Sequence, residues 1–106
     1  MGKCITIPFK EEFRERMLSG QKTATTRTKR YGHPGDLFCA FGHSFQLTKV
    51  DKVYLGDVTS TGYEIEGFKT QFEFVQCWER LHPAKGYVFD QPVWLHQFKR
   101  SVTEVI

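Results

Sequence analysis

Only two stretches of this chain carry the apolar rhythm of a helix, residues 10–19 and 71–81, and the rest of its apolar residues fall in short, closely set runs. That arrangement limits the fold more than any other feature. Ile5 and Ile7 flank Thr6 ahead of Pro8, which reads as a short strand ended by proline. The threonine-rich segment after Gly20 reads as a second strand and Leu37–Phe41 as a third. Phe45–Leu55 alternates over a longer run with one irregularity, the mark of a bulged strand, and Val93–Lys99 forms the last.

The first helix, KEEFRERMLS, places Phe13, Met17 and Leu18 at helical spacing, with Glu11 and Glu12 at its start and Gly20 as its C-cap. The second opens with a capping box, Thr70-x-x-Glu73, and its expected core face is Phe72, Val75, Trp78 and Leu81 before His82-Pro83 stops it. Residues 56–69, with Gly56, Gly62 and Gly67, read either as loop or as a short helix. The helices are too few for a doubly wound parallel sheet. The expectation is one α+β domain spanning residues 1–106, with about five or six strands curled into a small sheet or barrel and two or three helices beside it.

A chain of 106 residues buries roughly two-thirds of its unfolded surface, enough for one core, and ten phenylalanines make that core aromatic-rich. No apolar run approaches the roughly 18 residues that span a bilayer, and the first residues lack the apolar stretch of a signal peptide. The sequence therefore points to the cytoplasm and away from a membrane. Cys4, Cys39 and Cys77 are odd in number and widely spaced, so they suggest buried, reduced thiols rather than a disulfide framework or a metal site. Neither metal nor cofactor is expected.

The net charge is only +3, but its distribution is uneven. Between Arg16 and Gly35 there is no acid, while Arg16, Lys22, Arg27, Lys29 and Arg30 all fall there. Such a patch attracts phosphate, and it equally describes a solvated basic loop. Within it, GQKTATTR places Thr25 and Arg27 on one face of a strand, with Lys22 in the connection just before it. A hydroxyl becomes a nucleophile when a base lies within hydrogen-bond reach, and a lysine serves when desolvation or a nearby cation disfavours its charge. Arg27 is such a cation and can also hold a phosphate or carbonyl oxygen. Glu66 stands at the break ahead of the second helix, where a carboxylate can reach into a cleft. A polar strand with ordinary surface charges is the competing reading. His96, between Leu95 and Phe98, reads as a core histidine, and Tyr31 and Trp94 as core or ordinary surface that could also stack a base.

Gly20-x-Lys22-x-x-Thr25-x-Arg27, then Gly35-Asp36, Glu66-Gly67-Phe68, Trp78, His82-Pro83 and Val93-x-x-His96-x-Phe98, resembles the ASCH domain family over essentially the whole chain. The resemblance implies a small PUA-like β-barrel flanked by helices, with a cleft for RNA or a nucleotide. Some small bacterial members are amidohydrolases of N4-acetylcytidine. Their lysine and threonine fall on Lys22 and Thr25, and their catalytic glutamate on Glu66. The implied function is RNA or nucleoside binding, with hydrolysis of an N-acyl group by Lys22, Thr25 and Glu66, and with Arg27, Lys29 and Arg30 as anion or nucleic-acid contacts. The alternatives are an RNA-binding module without catalysis, and a ribonuclease.

Overall fold

The computed structural model describes residues 2–101. Five strands form one mixed sheet: β1 (Cys4–Ile5), β2 (Ala24–Arg27), β3 (Leu37–Ala40), β4 (His43–Tyr54) and β5 (Pro92–Arg100), in the order β1-β3-β4-β5-β2. β1 runs parallel to β3 and every other pair is antiparallel. The α+β class holds, but the sheet is not closed into a barrel. Its edges are β1, of two residues, and β2, of four, and no ladder joins them among the described residues. The irregular alternation along β4 is a bulge: Leu47 faces Phe98 and Lys49 faces Gln97, leaving Thr48 as the extra residue.

The core is aromatic, as the phenylalanine count implies. Phe38 stacks on Phe45 with centroids 5.4 Å apart, Phe98 meets both edge-on, and Phe9 lies over Phe38 at 5.8 Å. These offset and edge-on pairs add to plain area burial. Cys77 is buried, whereas Cys4 and Cys39 are exposed free thiols, contrary to the expectation for all three. The side chains of β1 and β3 alternate between the core and the outer surface of an edge, and these cysteines fall on the outer side.

The first helical segment begins as a 3₁₀ turn (Glu11–Phe13) and continues as α1 (Arg14–Leu18). Residues 56–69 resolve the ambiguity of their sequence towards helix: α2 (Leu55–Asp57) runs into a π-helical turn (Val58–Gly62). Three short backbone bonds then tighten the chain through Phe68. α3 (Gln71–Leu81) is capped as the capping box predicts, with Thr70 accepting from the Glu73 N–H at 3.1 Å. Its buried face is Phe74, Cys77 and Trp78, with Leu81 half-buried, and Phe72 is 68% exposed. Two apolar series with helical spacing overlap in this segment, and packing selects the one through Phe74. No helix among the described residues is long and apolar enough to cross a membrane.

Candidate functional site

Between α1 and β2 the chain turns sharply at Gly20 (φ +87°) and is drawn back when the Lys22 N–H donates to the Arg16 carbonyl at 2.8 Å. The Thr23 N–H donates to the carbonyl of Ile65 at 2.7 Å, tying this connection to the tight turns before α3. Gly67 completes the junction. It adopts φ +95°, and a Cβ there would stand 3.0 Å from that of Lys22, so the close approach requires glycine. Glu66 is thereby held against Lys22.

The result is a buried ion pair. Lys22 and Glu66 are each 3% exposed, and Lys22 Nζ donates to Glu66 Oε1 at 2.9 Å and to the Glu66 carbonyl at 3.2 Å. Thr26 Oγ1 donates to the other carboxylate oxygen, so both oxygens of Glu66 are engaged. The ammonium also lies 4.9 Å from the centre of the Phe13 ring.

Thr25 and Arg27 form a second constellation. Arg27 Nε donates to Thr25 Oγ1 at 2.9 Å and Nη2 to the Pro8 carbonyl at 2.7 Å, with the guanidinium 4.8 Å from the Phe9 ring centre. Burial pulls the Arg27 pKa below its ordinary value, although a guanidinium keeps its charge in proteins. No carboxylate comes within salt-bridge distance of it among the described residues.

Both constellations line one cavity of about 350 Å³, in the range that accepts small ligands. Its walls include Phe9, Phe13, Phe68, Phe74 and Trp78, with Lys10 and His82 also lining it. The Trp78 indole N–H is buried without a partner among the described residues, and its ring stacks on His82 with centroids 3.9 Å apart. The Cys77 thiol also lines the cavity, but burial pushes its pKa up, which makes it a poor nucleophile.

Lys22, Thr25, Arg27 and Glu66 therefore come together, whereas Lys29 and Arg30 stand outside on the exposed surface. Lys29 Nζ lies 5.1 Å from the Tyr31 ring centre and the Arg30 guanidinium 5.3 Å from that of Trp94. His96 is fully buried, and its Nε2 accepts from the Tyr31 N–H at 3.0 Å. The proton is thus on Nδ1, directed at the carbonyls of Trp94 and Thr25. It is a satisfied core histidine. Thr26 and Phe9 are cavity residues that the motif does not mark. His82, read as a helix stop, both caps α3 and lines the cavity.

No protein-family model and no curated protein matches this chain. Solved structures do. An ASCH domain from Lactobacillus crispatus superposes with a TM-score of 0.65 at 15% identity, covering 93% of this chain and 79% of that one. A hypothetical protein gives a TM-score of 0.68 at 16% identity over 95% of this chain and 100% of its own. A protein from Enterococcus faecalis gives 0.63 at 16% identity, over 95% and 76%. The architecture is therefore an ASCH-type fold. At this identity the likeness concerns the fold alone.

Proposed function

We propose that this chain binds a modified nucleoside, free or within RNA, and hydrolyses its N-acyl group, with N4-acetylcytidine as the test substrate. The observation that carries the reading is the buried Lys22–Glu66 pair at the wall of a cavity that Thr25 and Arg27 also line. The aromatic walls suit a base, since every nucleobase offers a π-face. The Lys22 ammonium first passes a proton to Glu66 across their 2.9 Å hydrogen bond, and the neutral amine then takes the Thr25 proton as Thr25 Oγ attacks the acyl carbon. The C=O electron pair moves onto oxygen and returns as the C–N bond breaks. Glu66 gives the proton it received to the departing amine, which restores the Lys22–Glu66 ion pair. Water then cleaves the threonyl ester, releasing the carboxylic acid. Arg27, already donating to the Thr25 hydroxyl, steadies the oxygen charge.

The test is incubation with N4-acetylcytidine and chromatography for cytidine. Release by the parent, reduced roughly 10²–10⁴-fold in Lys22→Ala, is expected. Release that is equal in the parent and in Thr25→Ala contradicts the mechanism.

A second reading, RNA binding without turnover, is favoured by Lys29 and Arg30 lying exposed beside Tyr31 and Trp94. It predicts no cleavage of any acylated nucleoside, with RNA affinity that falls steeply with salt. Lys29→Ala and Arg30→Ala would each reduce the log–log slope by about 0.7.

A further inference from the structure

Consecutive residues of a strand point to opposite faces, yet Thr25, Thr26 and Arg27 all line the same cavity. This is possible only where the cavity lies alongside the strand. β2 is an edge strand, bonded on one side to β5, and no β5 residue lines the cavity. The cavity therefore runs along the free edge of β2.

The ladder fixes which backbone groups face it. Thr25 pairs with His96 and Arg27 with Trp94, and the Phe98 N–H donates to the Thr23 carbonyl at 2.9 Å. Because inward and outward backbone groups alternate along an antiparallel strand, residues 23, 25 and 27 turn their carbonyls to β5 while Ala24 and Thr26 turn theirs outward, with their N–H groups. Of those two, only Thr26 lines the cavity. Turned away from β5 at the sheet edge, its N–H meets no acceptor in the turns and loops among the described residues, although the residue is 8% exposed. Buried backbone donors are rarely left without a partner.

We propose that the Thr26 backbone N–H is the docking donor for a carbonyl oxygen of the ligand, so that the cavity takes amide-bearing compounds, their C=O laid against the β2 edge. The Lys22–Glu66 pair and Arg27 stand beside this donor, and Thr26 serves the site twice, because its hydroxyl fixes Glu66. The identification of the amide as an N-acyl nucleoside rests on the reading above; the donor itself does not.

The experiment is an amide NMR titration with hydrogen exchange, using N4-acetylcytidine on Thr25→Ala, to prevent turnover, and N-methylacetamide on the parent. The expected result is a shifted Thr26 amide whose exchange slows about tenfold or more, while the amides of Thr25 and Arg27, already bonded to β5, are little changed. If N-methylacetamide gives this result and N4-acetylcytidine moves nothing, the donor stands and the nucleoside reading falls. If either compound perturbs Trp78 and Phe68 but leaves the Thr26 amide unmoved, the donor assignment is overturned. If neither compound enters the cavity, both fall. A second arm compares Thr26→Pro with Thr26→Val. Proline at an outward-facing edge position removes this N–H without breaking a ladder bond, so weaker carbonyl binding in the proline variant alone supports the assignment, and equal binding overturns it.

Discussion

Lys22 and Glu66 are separated by 44 positions in sequence and 2.9 Å in space. Burying such a pair costs each ion its water, and removing one partner strands the other. Glu66→Leu should therefore destabilise the fold by about 3–5 kcal/mol in denaturant unfolding, and Lys22→Met should act similarly. The double variant Lys22→Met, Glu66→Leu should regain most of that loss while remaining unable to cleave substrate, separating the pair's structural from its chemical part. The sequence marks Lys22, Thr25, Arg27 and Glu66 because they stand in a motif or at a break in a pattern. It gives no sign of Thr26, whose importance arises only when a strand edge meets a turn forty positions away. His96 tests the electrostatics of the core. Burial holds its pKa below the ordinary value, so the folded state favours the neutral ring. Its contribution is complete above the unfolded value of about 6.5 and is lost as pH falls from there through the folded value. The melting temperature should drop on acidification across this window, with a shallower slope in His96→Gln.

α3 shows why helix existence is easier to read than helix phase. The capping box fixed its start, but Phe72 and Phe74 both fit an amphipathic stripe, and only the partners waiting at Phe68 and Trp78 decide between them. Phe74→Ala should cost about 3–5 kcal/mol, whereas Phe72→Ser should stay within about 0.5 kcal/mol. The turn before α3 is as specific as the helix. Gly67→Ala would combine a positive φ with a contact of 3.0 Å to Lys22 Cβ, so it should lower stability by about 1–3 kcal/mol and displace Glu66. Catalytic loss beyond that of an equally destabilised Phe74 variant would register the displacement. Closure of the sheet was not legible. Strand spacing shows that strands are close together, but whether the edges meet depends on the lengths of β1 and β2, which are short.

At the scale of the whole molecule, the acid-free stretch from Arg16 to Gly35 is divided by the fold. Lys22 and Arg27 turn into the cavity, while Lys29 and Arg30 remain on the exposed surface beside aromatic rings. Charge counting along the sequence cannot make that division, because β2 and the connection before it carry cations towards the cavity and the loop after β2 carries them to water. The cavity lies along the sheet's free edge, walled by the segment after β1, by the turn holding Glu66 and by α3. The most direct test of this account is a side-by-side measurement of cytidine release from N4-acetylcytidine by the parent, Lys22→Ala, Thr25→Ala, Glu66→Gln, Lys29→Ala and Arg30→Ala. Turnover should fall by about 10² or more in the first three variants and stay near the parent's in the last two. Loss confined to Lys29→Ala and Arg30→Ala, with the cavity variants active, would contradict it.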